Sequence, residues 1–474
     1  MLFQTFEFAI FLPAVFFVYW FFLNKKTSFQ NVWIVLASYI FYGWWDWRFL
    51  SLIFLSSLLD FFIGKKIFKT EDRSKRKRFL LLSIVFNLGI LLYFKYCDFF
   101  LDNFVSTFRL FGYSMSISGL DIVLPVGISF YTFQTMSYVI DVYRGNLRPT
   151  TNMISFFAFV SFFPQLAAGP IERATRLLPQ FEKRRVFNIN EAENGLRQIL
   201  WGLGKKILIA DQCSILVDQI FENYTTYPYY VLIFGVFLFS LQIYGDFSGY
   251  SDIARGVARL FSFNLIVNFK TPYFSSNIME FWKRWHISLS SWFRDYLYIS
   301  LGGNRLGRNK TMLNIFIVFL VSGFWHGASW KFIFWGALHG GCFLILFTIS
   351  NLSLYQRVSA KFHIFFKILL TYSFVSFAWI FFRAPDVYTA WDFVLKIFQF
   401  SEGSNFLSFN KIYFILIFVF PFLGIEWVNK EKEFPFDNFN KSLGRVARNS
   451  LYYFLILLIL FFKKNDTPFI YFQF

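Results

Sequence analysis

Apolar runs long enough to cross a bilayer recur along the whole 474-residue chain, and the polar stretches between them are short. The pattern predicts spans at 6–23, 31–45 and 48–63. The break Y-G-W-W-D-W-R over 42–48 has the Trp-rich character of an outward-facing membrane interface. One clear span and a shorter aromatic segment follow within 79–112. From Pro125 to Asp141 polar and apolar groups interleave, and Gln134, Ser137 and Asp141 recur at helical spacing, so that helix is expected to face protein or a cavity. The run 152–169 ends in F-P-Q-L-A-A-G-P-I-E-R over 163–173, where two prolines and a glycine break it. Spans near 194–220 and 228–244 come next. From Gly245 to Lys310 the mixture of Gly, Asp, Ser, Arg and aromatics is too fine for a span or a solvated loop. Irregular backbone at membrane depth must be buried in protein or line a cavity, so short and re-entrant helices are expected there. Further spans fall near 312–325, 330–350, 361–383, 411–426 and 447–462. The sum is an all-α integral membrane protein of roughly eleven to thirteen crossings at about 20 residues each. No polar stretch is large enough for a separate soluble domain, so 1–474 is expected to be one membrane-embedded domain.

Composition agrees: 56% of the residues are hydrophobic, 24% aromatic and only 16% charged, unlike a soluble domain. The net charge of +18 changes the picture only through its placement. Lys and Arg cluster in short loops, as positive-inside topology requires, which removes the case for a nucleic-acid partner. The loop 64–78 carries eight Lys or Arg against two acids, and Lys25 and Lys26 lie in a loop of the same parity. Both are expected to be cytoplasmic, with the N-terminus outside and the chain a multi-pass protein of a cytoplasmic (inner) membrane. Residues 171–193, with five basic residues, are assigned to the same side. The start, M-L-F-Q-T-F-E-F, lacks a basic n-region and no small-residue cleavage site follows, so the first apolar run reads as a retained helix. Cys97, Cys213 and Cys342 are far apart and without C-x-x-C spacing, so neither a disulfide framework nor a zinc site is expected. No bound cofactor and no metal are expected.

Three of the four histidines, His286, His326 and His339, fall within 280–341. An imidazole in a lipid-embedded chain is costly unless it is partnered, lines a cavity or performs chemistry. His326 stands in G-F-W-H-G-A-S-W over 323–330, where small neighbours are expected to leave room for a substrate at the ring. It suits a general base for a hydroxyl attacking an acyl group, or a histidine closing a helix kink. His286 lies among Trp282, Trp285, Trp292, Lys283 and Arg294, which could equally form an interfacial amphipathic helix. His339 is thirteen residues past His326, about 20 Å along one helix, so the two share a ligand only if Gly327–Ser329 folds the chain back. His363 reads as structural. The H-G-G at 339–341 lacks a G-x-S-x-G companion, since G-D-F-S-G at 245–249 has its serine one place off. G-G-N-R-L-G-R at 302–308 and W-G-L-G-K-K at 201–206 do not complete a phosphate loop and read as turns or helix packing. Asp246 and Asp252 lack a third metal ligand and could cap a helix.

The centre resembles the membrane-bound O-acyltransferases, specifically the bacterial alginate O-acetyltransferase-like branch. The matching pieces are F-W-K-R-W-H-I-S-L-S-S-W-F-R-D-Y-L-Y-I over 281–299 with L-G-G-N-R at 301–305, G-F-W-H-G-A-S-W with W-G-A-L-H-G at 335–340, and W-I-F-F-R-A at 379–384. The stretches 163–173 and Y-G-D-F-S-G-Y-S-D at 244–252 also match. The resemblance implies a helical ring around a thin tunnel, with His326 as the near-invariant family histidine and His286 supporting donor or acceptor placement. It implies transfer of an acyl group, such as acetyl, from a cytoplasmic thioester such as acetyl-CoA toward hydroxyls of an extracytoplasmic polysaccharide. A separate extracytoplasmic esterase-like partner is expected to complete that transfer. D-alanyl or lipid acyl transfer stays open within the superfamily. An envelope glycan transporter or flippase is the rival from another class, although the paired repeats that it should show are not found.

Overall fold

A computed structural model describes the chain except residues 114–118, 121, 167–168, 351, 354–362, 406, 408, 437–443, 464–468 and 471–474. The described residues form helices and turns, with no strand among them. They gather into two compact units, Met1–Gly195 with Val257–Ile266, and Leu196–Gly256 with Val267–Phe474.

Six helical stretches among the described residues are long and apolar enough to cross a membrane, and Phe6–Phe22 and Ile415–Val428 are shorter apolar helices. Two of the six run 43 and 38 residues, about twice the ~20 that one crossing needs. In Thr27–Lys69 the reason is a corner. Asp46 leaves helical geometry at φ −159°, ψ 111°, and its carboxylate accepts the Arg48 N–H at 2.9 Å. Thr27–Asp46 and Leu50–Lys69 are therefore two helices joined by the turn Trp47–Phe49, with the Trp-rich break at the corner. A helix that buries polar groups against protein is less apolar than one that faces lipid. Ile128–Arg144 is one: Gln134, Ser137 and Asp141 are all buried, and Gln134 donates to the Phe159 carbonyl at 2.7 Å.

In the first unit the helices Leu50–Lys69, Arg73–Leu91 and Ile128–Arg144 are tied by one buried polar cluster. Asp60 accepts from Ser83 Oγ at 2.5 Å and from Asn87 Nδ2 at 2.8 Å. The Asn87 oxygen accepts from Ser56 Oγ at 2.7 Å and from Thr135 Oγ1 at 3.3 Å. With lipid outside, such hydrogen bonds replace the hydrophobic drive that cannot distinguish one apolar helix face from another.

In the second unit the irregular segment expected from Gly245 begins later. Tyr229–Leu260 is one helix of 32 residues, and Gly245 and Gly249 lie within it. These glycines are contact points, not breaks. A Cβ on Gly249 would stand 2.8 Å from the Gly202 carbonyl oxygen, and one on Gly202 would stand 2.6 Å from the Gly249 carbonyl oxygen. The polar residues that spoil the hydropathy here are buried and paired across that contact. Lys205 meets Asp252 at 2.5 Å, and Lys206 meets Asp246 at 2.8 Å and Asp211 at 3.0 Å. Asp246 and Asp252 are thus counter-charges to lysines, and W-G-L-G-K-K is helix packing running into the π-turn Lys205–Ala210. Irregular backbone and short helices, Ile278–Arg284, Ile287–Trp292 and the π-turn Phe293–Tyr298, follow Leu260.

Candidate active site

The second unit places His326 at the last residue of the helix Arg308–His326. Gly327–Ser329 reverses the chain into Trp330–Ile349, which packs back along the first helix. The glycines permit this approach. A Cβ on Gly323 would stand 2.2 Å from the Phe332 carbonyl oxygen, and one on Gly336 would stand 2.4 Å from that of Phe319. At Gly327 the space beside the backbone is filled by the Phe332 ring, 2.2 Å from a hypothetical Cβ. The small residues flanking His326 therefore serve helix contact instead of opening room at the ring. The reversal also brings His339 back: the Trp335 ring lies 5.1 Å from His326 and 4.7 Å from His339.

Aromatic side chains wall the three imidazoles. Phe382 lies 5.5 Å from His326, and Trp282 lies 5.1 Å from His339. Trp335 stacks on Trp379 at 5.6 Å, and Trp379 meets Trp285 at 5.2 Å. His326 is 3% exposed, while His286 and His339 are fully enclosed. Within this box the indole N–H groups of Trp282, Trp335 and Trp379, both ring nitrogens of His339 and Nε2 of His286 are buried without a hydrogen-bond partner. Buried polar groups are paired in most folded proteins, so this concentration of unspent donors and acceptors singles the box out as the candidate site.

His286 does not sit on an interfacial helix. Trp285 and Trp292 are buried, and His286 is the junction between two short helices, held in the left-handed region at φ 44°, ψ 53°. A non-glycine residue there carries a strain on the order of 1–3 kcal/mol, which the surroundings must impose. Asn268 imposes it. Its backbone carbonyl accepts the Ile287 N–H at 2.9 Å. Its side-chain oxygen accepts from Ser288 N at 3.1 Å and Ser288 Oγ at 2.9 Å, and lies 3.2 Å from His286 Nδ1. Because a backbone N–H can only donate, the Asn268 atom at this junction is the oxygen, so Nδ1 must donate to it. The Nε2 lone pair is then the one left unspent, on a ring that lies 4.6 Å from Phe247 and 6.2 Å from Trp325. Asn268 also lines a narrow cavity of about 30 Å³ with Lys205, Tyr244, Asp252, Arg255 and Lys270.

The sequence missed Asn268, since nothing in a lone asparagine announces that it fixes a ring 18 residues on. It underrated His339, although the Trp335–His339 spacing of one helical turn was a usable signal. His363 does what was expected of it, accepting the Phe365 N–H at 3.3 Å to cap the helix Ile364–Arg383. No group of three or more His, Cys, Asp or Glu that could hold a metal occurs among the described residues. G-D-F-S-G at 245–249 and H-G-G at 339–341 both lie inside helices, so neither forms an esterase-type turn.

A multi-pass helical protein with imidazoles and unspent polar groups buried between its spans defines an enzyme of the membrane interior. The model of the membrane-bound O-acyltransferase family matches residues 40–391. The probable alginate O-acetylase AlgI of Pseudomonas putida is 39% identical over 396 residues, covering 83% of this chain and 79% of the relative. The peptidoglycan O-acetyltransferase of Helicobacter pylori is 36% identical over 414 residues, 81% of this chain and 76% of the relative. A teichoic acid D-alanyltransferase of Streptococcus thermophilus is 32% identical over 234 residues, 45% of this chain and 55% of the relative. The chain belongs to the membrane-bound O-acyltransferase family and is an O-acyltransferase.

Proposed function

We propose that the protein moves an acetyl group from a cytoplasmic thioester, such as acetyl-CoA, across the membrane toward hydroxyls of an extracytoplasmic polysaccharide. The observation that carries this reading is the aromatic box with its buried imidazoles and unspent N–H groups, the donors and acceptors that a carbonyl and a hydroxyl need. In the reaction the hydroxyl oxygen attacks the thioester carbonyl, a C–O bond forms, the C–S bond breaks, and the hydroxyl proton passes to an imidazole and on to the departing thiolate. His326 is the base, and His286, its tautomer fixed by Asn268, accepts a hydrogen bond at Nε2 that orients the hydroxyl. The thioester is a co-substrate, and the reaction so written needs no metal or bound cofactor. A hydrophilic donor cannot cross lipid, so donor and acceptor reach the box from opposite faces through protein. An extracytoplasmic esterase-like protein receives the acetyl group and completes its transfer to the glycan.

Acetyl is favoured over D-alanyl because the relatives named for acetylation align over most of both chains, while the D-alanyltransferase aligns over about half. A transporter is not retained, because the family is one of acyltransferases. Membranes bearing the protein together with its extracytoplasmic partner, incubated with radiolabelled acetyl-CoA and the envelope glycan, should transfer label to alkali-labile esters. Transfer from a D-alanyl carrier thioester, with none from acetyl-CoA, would reassign the donor.

A further inference from the structure

We propose that the groove lined by Phe16, Trp20, Phe21, Lys25, Arg184 and Arg185 in the first unit binds an anionic phospholipid. Its volume is about 520 Å³, room for a headgroup and part of an acyl chain. The groove joins two loops distant in sequence, 24–26 and 183–187, that the charge pattern independently assigns to the cytoplasmic side of the membrane. They are tied by Arg185, which donates to the Thr27 carbonyl at 3.4 Å and to Asn31 Oδ1 at 2.7 Å.

Charge supplies the argument for an anion. Arg185 is only 6% exposed, it donates to the neutral oxygens of Thr27, Gln180 and Asn31, and its Nε is buried without a partner. No carboxylate among the described residues pairs with Lys25, Arg184 or Arg185. A buried guanidinium without a counter-charge is costly, and Lys25 and Arg184 add two exposed cations at the same rim. The apolar part argues for a lipid over a soluble anion. Phe21 is 66% exposed and Phe187 43%, and Phe16, Trp20 and Phe187 pack edge to face in the same groove. Cations and exposed aromatic rings lining one groove fit a phosphate diester with its acyl chain laid along the rings.

The test uses the full-length protein in detergent, with dioleoyl phosphatidylglycerol as probe and dioleoyl phosphatidylcholine as control, read by native mass spectrometry and by melting temperature. Phosphatidylglycerol should bind and stabilise where phosphatidylcholine does not. The exposed-residue variant Lys25→Gln/Arg184→Gln should bind it about tenfold or more weakly, as expected from losing two near-surface cations. Lys75→Gln/Lys77→Gln, which removes two exposed cations from another basic loop, should bind as the parent does. Unchanged binding in Lys25→Gln/Arg184→Gln would overturn the proposal, and so would equal losses in the two variants. Equal stabilisation by inorganic phosphate would replace the lipid by a free anion.

Discussion

At the residue scale the most informative side chain is Asn268, because one oxygen decides the tautomer of His286. Asn268→Asp keeps the shape and places a carboxylate against Nδ1, which favours the imidazolium and raises the His286 pKa. A protonated Nε2 can no longer accept a hydrogen bond, so activity is lost as pH falls through the raised value. The acidic limb of the pH–rate profile should therefore move to higher pH in Asn268→Asp, while the alkaline side stays put. A uniform drop at every pH would point to a merely structural asparagine. His286→Ala should weaken acetyl transfer while leaving a folded protein, and less severely than His326→Ala. Equal severity at saturating donor would make the two imidazoles one catalytic unit.

At the element scale the reversal between Arg308–His326 and Trp330–Ile349 sets the geometry of the box. Gly323→Ala pushes a methyl group against the Phe332 carbonyl, where neither helix backbone can give way cheaply. We expect destabilisation of about 1–3 kcal/mol, visible as a lower melting temperature in detergent, together with reduced transfer because His326 and Trp335 shift apart. A variant with parental melting temperature and activity would show that the helices have slack. The same pair of helices shows what the sequence could reveal. Their bounds, the buried polar face of Ile128–Arg144 and the Trp-rich corner near Asp46 were legible from period and composition. The helix Tyr229–Leu260 was legible only as far as Tyr244, because Asp246 and Asp252 look like loop residues until Lys205 and Lys206 are known to face them. His326 could be singled out by its setting, but its glycines were misread, since glycine that admits a substrate and glycine that admits a helix look alike in one dimension. The partner of His286 was not legible, because long-range hydrogen bonds leave no periodic trace.

At the scale of the whole molecule, orientation decides which face meets the thioester. The eight basic residues of 64–78 predict that this loop is cytoplasmic. A cysteine at Ser74, exposed just after the Asp72 cap of its helix, should resist an impermeant thiol reagent in intact cells and react once the membrane is opened. Labelling in intact cells would invert the topology and with it the donor side. The central claim is that an imidazole buried in this chain carries acyl transfer, and it is tested most directly by measuring acetyl transfer from labelled acetyl-CoA to the envelope glycan in membranes that contain the extracytoplasmic partner and equal amounts of parent, His326→Ala or His326→Gln. General-base catalysis contributes about 10² to 10⁴-fold, so both variants should fall to near background while remaining inserted and folded. Retained transfer in His326→Gln, with His326→Ala merely less stable to heat, would contradict the account and leave His326 a structural residue.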